Sequence, residues 1–490
     1  MLTITSENES FARLNAPRQI INQIKEILQF RPEGYLFMKS YQVGIWDGWI
    51  RPIDGHGVFH KGLLFKICKT LEELGYTDYT INEKDFVQFY EPAINITNLE
   101  ITDADGNIIR PHDYQESAVN WALENKRGIV IAPTGAGKSL IIYLTIQSLL
   151  QSKRYKKILV LVPTVSLTTQ LFSDFDEYSH SNGLKAENYV HKISSGKDKQ
   201  SHLPVYISTW QSIYNIKDKS YFEQFDAVFV DETHTADSSS ITQILNSCTN
   251  ARFRIGLTGT LKNCKTHITA LTGLLGESYQ VTTTKELMDR GILTNLEISA
   301  ILLKHAELPK VEYKDEMDII VAHSKRNKFI ASITELNTDE NYLILYQYVQ
   351  KHGKPLYEYL TKKYPNKQVL LVNGQIKAEV RENIRKITEQ NNNVIIVASY
   401  QTYQQGINIK NLHNVIFASP SKSMIRVFQS IGRALRKHSS KKVARLYDIA
   451  DDFTGDKRKT KNYTLSHFEE RIQMYMEQDF KIKYTELDFK

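Results

Sequence analysis

The sequence predicts an α/β protein with two tandem doubly wound parallel-sheet domains, a small N-terminal α+β domain and a short helical C-terminal tail. Three observations carry this expectation. Short runs rich in Val, Ile and Leu recur at 129–132, 158–162, 205–208, 227–230 and 254–257, with helical patterns between them. A second series follows at 343–346, 369–372, 394–398, 415–418 and 444–447. Each run is apolar on both faces, as a strand buried in a parallel sheet requires, and strands alternating with helices make a doubly wound layer. Polar clusters at 133–139, 163–170, 209–212, 231–234 and 258–260 each follow a run of the first series directly. Open α/β sheets bind ligands beyond the carboxyl ends of their strands, so these clusters are expected to meet along one sheet edge.

The expected organisation is a small domain over 1–95, an α/β domain over 96–283, a second over 284–450 and a helical tail over 451–490. The N-terminal region differs in composition, with aromatics, glycines and cations interleaved in GYLFMKSYQVGIWDGWIRP and a helical segment near 63–74. The stretch 284–341 reads as a bridge followed by a polar helical segment. The tail holds the basic knot DKRKTK and an amphipathic helix near 465–480. No internal repeat or low-complexity tract is visible.

With 41% hydrophobic and 24% charged residues among 490, the composition is that of a soluble globular protein. The net charge of +7 permits a nucleic-acid partner without requiring one. Cys68, Cys248 and Cys264 are odd in number and form no CxxC pair, which argues against a disulfide framework or a structural zinc site and fits a reducing, cytoplasmic compartment. No apolar run approaches the roughly 20 residues of a membrane span, and the N-terminus lacks the apolar core of a secretory signal.

The chemistry concentrates in four places. APTGAGKS at 132–139 follows a strand and opens a helix. The backbone of Pro133, Thr134, Gly135, Ala136 and Gly137 is suited to cradle phosphate oxygens at a helix N-terminus. Lys138 is placed for the β/γ phosphates and Ser139 for Mg²⁺. Ala132 stands where a strict P-loop begins with Gly. DETH at 231–234 also follows a strand. Asp231 is the expected second Mg²⁺ ligand and Glu232 the residue that orients or deprotonates the attacking water, while His234 has no partner at metal-ligand spacing and reads as a coupling residue. In RPHDYQ at 110–115, Tyr114 is expected to stack on a base and Gln115 to read the adenine edge; Pro111 and Asp113 equally suit a helix start. QSIGRALRK at 429–437 places Arg433 and Arg436 on one helix face, where arginine fingers would stabilise transition-state charge. Thr258 and Thr260 close a strand beside the nucleotide and are expected to pass on the γ-phosphate state.

In this order APTGAGKS, VPTVSLTTQ, DETH, LTGT, VASYQTYQQGINI and QSIGRALR resemble motifs I, Ia, II, III, V and VI of superfamily 2 helicases, over residues 110–448. GIWDGWIRPID, SKRNKFI and ASYQTYQQGINIKNLHNVIFA are similar to UvsW-type recombination and repair helicases of tailed phages. The resemblance implies two RecA-like domains and an ATP- and Mg²⁺-dependent DNA helicase. It further implies action on branched DNA: Holliday-junction migration, fork regression, and dissociation of displacement loops or RNA–DNA hybrids. It places Gln429 with the two arginines in the catalytic set, and Gly406 and Asn408 at the nucleotide. Asn408 departs from the Asp that many relatives use on the ribose, which implies weaker sugar discrimination.

Phosphate contacts without base reading suit a motor that steps along any strand. Thr164, Gln170, Thr209, Gly374, Gln375, Ser399 and Gly406 are the candidates. In the N-terminal domain Arg18, Lys39, Tyr41, Trp46, Trp49, Arg51, His60 and Lys61 mix cations with rings, a combination that can grip a backbone while stacking on bases; the alternative, that Trp46 and Trp49 are core or turn residues of a small domain, stays open. Expected partners are single-stranded, double-stranded or branched DNA and RNA–DNA hybrids, with a monomeric chain in the cytoplasm, the host's if a phage encodes it. The runner-up readings are an RNA helicase of the same superfamily and the motor subunit of a restriction nuclease; no PD…ExK nuclease cluster is visible at either end.

Overall fold

The computed structural model describes residues 2–82, 86, 101–103, 106–193, 198–235, 239–261, 264–309, 311–404, 409–421, 431, 432, 435, 437, 438, 440–454 and 461–489. Two compact units divide the chain: Met1–Ala132 with Gly137–Val281, and Pro133–Ala136 with Thr282–Lys490.

The first unit begins with a four-stranded sheet in the order β3-β2-β1-β4, built from β1 (Leu2–Ser6), β2 (Phe11–Asn15), β3 (Val58–His60) and β4 (Tyr79–Ile81). Helix Arg18–Leu28 buries Ile21, Ile24 and Leu28, the i, i+3, i+7 stripe of an amphipathic helix. Helix Leu64–Glu73 closes the same core through Leu64, Ile67 and Leu71.

A seven-stranded sheet follows in the same unit, parallel throughout. It comprises β5 (Arg127–Ile131), β6 (Ile158–Val162), β7 (Val190–Ile193), β8 (Val205–Thr209), β9 (Ala227–Asp231), β10 (Phe253–Thr258) and β11 (Ser278–Gln280), in the order β11-β5-β10-β9-β6-β8-β7. All five residues of β6 are buried, the pattern its unbroken apolar run called for. Because β10 lies between β5 and β9, the cluster after β10 stands between the loop after β5 and the carboxylates after β9.

The small sheet is locked onto this larger one by polar groups. Arg254 at the start of β10 is fully buried; it donates to Ser10 Oγ at 2.8 Å and to the Leu245 carbonyl at 2.9 Å. Arg127 Nη2 donates to the Glu9 carbonyl at 2.6 Å, and His60 Nε2 lies 3.1 Å from Asn246 Oδ1. Lys61 is buried and pairs with Glu9 at 2.9 Å. Gly62 fits only as glycine, since a Cβ there would stand 2.0 Å from the Thr272 carbonyl oxygen. Of the cations and rings expected to meet nucleic acid, Lys61 is therefore buried and His60 is half-buried against Asn246.

Burial pulls the Lys61 ammonium down to about 8, against the opposing pull of Glu9. The unfolded lysine keeps its proton to about pH 10, so between these values the unfolded chain binds more protons and stability rises with pH. The unfolding free energy of the wild type, followed by urea titration, is expected to climb from pH 8 to pH 10 relative to Lys61→Met by on the order of 1 kcal/mol per pH unit. A constant difference between the two proteins across that range would contradict it.

The second unit holds another seven-stranded parallel sheet, β14-β15-β13-β16-β17-β12-β18. Its strands are β12 (Asn295–Lys304), β13 (Tyr342–Tyr346), β14 (Gln368–Val372), β15 (Val394–Ser399), β16 (Asn414–Phe417), β17 (Val443–Asp452) and β18 (Lys481–Asp488). Two of these strands depart from the sequence expectation. β12 lies in the stretch read as a bridge, yet pairs along its whole length with β17. The tail does form a helix, Tyr463–Glu477, but its last segment turns back as β18 and pairs with β12 at the sheet edge. No residue of KIKYTELD is buried and five of the eight are exposed, as at the edge of a sheet.

Candidate active site

The phosphate loop leaves β5 and enters helix Lys138–Gln151. Gly135 and Gly137 adopt φ of 90° and 79°, left-handed values that a side chain disfavours. A Cβ on Gly137 would stand 2.3 Å from Gln115 Nε2, so the amide of RPHDYQ is pressed against the loop. Gln115 Oε1 meanwhile accepts from His112 N at 2.8 Å and caps helix Asp113–Asn125. The helix-start reading of that segment is met by this side chain, whose amide nitrogen lies beside the phosphate loop. Tyr114 is buried and stacks on His112 at 5.4 Å. His112 itself is exposed.

At the carboxyl ends of β5, β9 and β10 a continuous polar chain forms. Lys138 Nζ lies 3.9 Å from Glu232 Oε1 and donates to the Ala132 carbonyl at 3.4 Å. Glu232 Oε2 lies 3.2 Å from His234 Nδ1, which lies 3.0 Å from Thr258 Oγ1. Thr258 Oγ1 donates to the Thr260 carbonyl at 2.8 Å. With its hydroxyl hydrogen spent there, Thr258 accepts from His234, which places a proton on Nδ1. The Glu232 carboxylate thus has Lys138 beside one oxygen and His234 beside the other. Glu232 has φ of 51°, a strained value for a non-glycine residue. Thr233 Oγ1 donates to the carbonyls of Val230 and Leu257, tying this turn to both strands.

Asp231 ends β9, and its Oδ1 accepts from Glu232 N at 2.9 Å. Burial, and then the neighbouring charge of Glu232, push its carboxyl up to about 6, with Lys138 opposing. Two carboxylates facing one ammonium leave negative charge uncompensated, and the oxygens of Asp231 and Ser139 are the hard donors a divalent cation takes. Ser139 Oγ lies 3.2 Å from Tyr178 Oη, a partner on helix Val165–Ser179 with no sequence signal. No cluster of three or more His, Cys, Asp or Glu suited to a metal occurs among the described residues.

The expected nucleic-acid contacts separate into groups. Gly374, Gln375 and Ser399 line one cavity of about 510 Å³ at the carboxyl ends of β13, β14 and β15, together with Gln347, Tyr348 and Asn373, which the sequence did not flag. Ser399 is itself 7% exposed, its hydroxyl bonded to Thr402 Oγ1 at 2.7 Å. Thr164 caps its helix, accepting from Leu167 N at 3.2 Å, and Gln170 is exposed on the same helix. Thr209 is buried and bonded to Ser212 at 2.8 Å, so its hydroxyl serves the local turn rather than an incoming strand. Gly406, Asn408, Gln429, Arg433 and Arg436 lie outside the described residues.

Residues 2–81 match the family described as DNA helicase UvsW, N-terminal. Residues 108–263 match the Type III restriction enzyme, res subunit, and 324–438 the helicase conserved C-terminal domain. The chain is 35% identical over 494 aligned residues to the ATP-dependent DNA helicase uvsW of Enterobacteria phage T4, covering 96% of both. The chain belongs to the UvsW family of DNA helicases. The crystal structure of T4 UvsW superposes with a TM-score of 0.50 at 31% identity, covering 99% of each chain. A fragment of a putative HsdR subunit from Vibrio vulnificus YJ016, at 18% identity, matches with a TM-score of 0.57 over 87% of this chain and 74% of that one, a likeness of fold. Both parallel sheets are RecA-like domains, and UvsW membership accounts for the small sheet that precedes them. No helix among the described residues is long and apolar enough to cross a membrane.

Proposed function

We propose that this UvsW-family chain is an ATP- and Mg²⁺-dependent motor that remodels branched DNA. Its tasks would be migrating four-way junctions, regressing stalled forks and dissociating displacement loops or RNA–DNA hybrids during recombination-dependent replication and repair. The row Lys138–Glu232–His234–Thr258–Thr260 carries the reading, because charged neighbours at 3.9 and 3.2 Å and then hydrogen bonds at 3.0 and 2.8 Å run from the group that would meet the terminal phosphates to the end of a strand.

In this account Lys138 holds the β/γ phosphates and Glu232 takes the proton of the attacking water. His234 and Thr258 carry the change in Glu232 to Thr260. Asp231 and Ser139 would hold Mg²⁺, which when bound neutralises phosphate charge. Arg433 and Arg436, with Gln429, complete the catalytic set, as arginine fingers that contribute roughly 10³–10⁵ in rate do elsewhere. Gln115 and His112 would receive the adenine, and Gly406 and Asn408 the rest of the nucleoside. The cavity lined by Gly374 and Gln375, together with Thr164 and Gln170, would follow one strand through its phosphates. The protein would act as a monomer in the cytoplasm, the host cell's if a phage encodes it.

ATP turnover measured with a synthetic four-way DNA junction and with an RNA duplex of equal length tests the substrate. The reading expects stimulation by the junction and little by RNA. Preferential stimulation by RNA would replace it with an RNA helicase.

A further inference from the structure

SKRNKFI opens helix Ser324–Ile333, and its two central polar residues reach the stretch that leaves β16 toward QSIGRALRK. Arg326 Nε donates to both oxygens of the buried Asp451 at 2.9 Å, and Nη1 donates to the Ala418 carbonyl at 2.6 Å. Asn327 Nδ2 donates to the Val321 carbonyl at 3.0 Å, which turns Oδ1 toward His352 Nε2 at 3.1 Å. His352 Nδ1 in turn lies 2.9 Å from Ser419 Oγ. Burial, and then the charge of Arg326, pull the His352 imidazole down to about 3, with Asp451 opposing, so the ring is neutral and carries one proton. Asn327 Oδ1 can only accept, so that proton sits on Nε2, and Nδ1 accepts from the Ser419 hydroxyl. The same hydroxyl oxygen accepts from Gln347 N at 3.1 Å, and the Ser419 carbonyl accepts from Tyr400 Oη at 2.9 Å. The bonds from Gln347 through Ser419 and His352 to Asn327 thus all run in one direction. His352 lies in a π-helical turn, Val349–Gly353, a rare geometry that recurs at functional sites.

We propose that Ser419 is the positioning residue that makes hydrolysis answer to DNA: a strand in the cavity shifts Gln347 and Tyr400, and Ser419 passes the shift toward QSIGRALRK. Gln347 follows β13 and Tyr400 follows β15, and both line the cavity that holds Gly374, Gln375 and Ser399. Two walls of one cavity therefore converge on a single residue, one through its hydroxyl and the other through its carbonyl. Ser419 is fully buried, so water does not compete for these bonds. Its neighbours Ala418 and Ser421 are tied through their carbonyls to the buried Arg326 and Arg471, so Ser419 is where the cavity residues join that framework. His352 and Asn327 hold the hydroxyl in the orientation that leaves its oxygen to Gln347. The inference rests on the reading that this cavity follows a DNA strand.

The test uses the full chain carrying Ser419→Ala or Asn327→Ala. The first deletes the hydroxyl; the second removes the acceptor that keeps the His352 proton on Nε2, at a half-buried position that tolerates the change if Ser419→Ala fails to fold. Turnover without DNA, KM for ATP and the affinity for a fluorescein-labelled single strand without nucleotide are all expected to stay at wild-type values. The DNA-stimulated kcat is expected to fall about tenfold for Ser419→Ala and less for Asn327→Ala, inside the roughly 5–150-fold range of ordinary coupling between sites. His352→Asn, whose Oδ1 replaces Nδ1 as acceptor, is expected to keep most of the stimulation that His352→Phe loses. Equal losses of basal and stimulated turnover overturn the proposal, because they mark a structural role. Full stimulation in Ser419→Ala, or in Asn327→Ala where the former does not fold, overturns it too, as does equal loss in the two His352 variants. Weaker DNA binding with an unchanged maximal rate makes Ser419 a wall of the cavity and also overturns it. Gln375→Glu places a carboxylate in the cavity; if it leaves the DNA affinity of the otherwise wild-type chain unchanged, the cavity reading fails, and the proposal with it.

Discussion

Replacing Lys138 with Ala is expected to lower ATP turnover by roughly 10²–10³-fold or more, the scale on which one preorganised donor stabilises transition-state charge. Two consequences combine. The phosphates lose the ammonium at the head of helix Lys138–Gln151, and Glu232 loses the cation 3.9 Å from Oε1 that holds one side of its carboxylate. The His234 contact at 3.2 Å is left in place. Turnover measured at saturating single-stranded DNA, with the melting temperature as control, checks the prediction; retention of more than a tenth of the wild-type rate would contradict the role given to Lys138.

Arg471→Met is expected to cause the largest loss of stability. The Arg471 side chain is buried on helix Tyr463–Glu477, where Nε and Nη2 donate to the two oxygens of Asp448 at 2.8 and 2.7 Å. Nη1 donates to the Ser421 carbonyl at 2.8 Å, and Tyr475 donates to Asp448 Oδ2 at 2.8 Å. Removing one partner strands a buried charge and typically costs about 3–5 kcal/mol. Pairing Arg471→Met with Asp448→Leu removes both charges and is expected to recover much of that loss. Thermal denaturation of the single and double variants measures it; additive losses would show that the two residues do not act as a pair. Because Ser421 immediately precedes residues 422–430 and the segment QSIGRALRK, the single variant is also expected to lose DNA-stimulated turnover per folded molecule.

The sequence carried most of the motor fold, because buried parallel strands announce themselves as unbroken apolar runs and the chemistry follows them directly. It located β5, β6, β8, β9 and β10 of the first sheet. The His234–Thr258 pairing was anticipated only as a shared role, since it depends on β10 lying beside β9, which no local pattern encodes. β12 and β18 escaped for opposite reasons: β12 begins with the polar alternation NLEIS, and β18 is half exposed along its length. In the N-terminal domain the cations and rings were legible as a group but their roles were not. His60 meets Asn246, 186 positions away, and Phe37 and Ile45, which composition marks as core, are exposed.

The measurement that bears most directly on the account is ATP-driven displacement of streptavidin from the end of a biotinylated single DNA strand. The linked chain from Lys138 to Thr260 exists, on this account, to turn hydrolysis into directed movement along DNA. Displacement that requires ATP and Mg²⁺, and that disappears with Lys138→Ala, is the predicted result. DNA-stimulated hydrolysis without displacement from either end of the strand would contradict it and leave an ATPase that does not translocate.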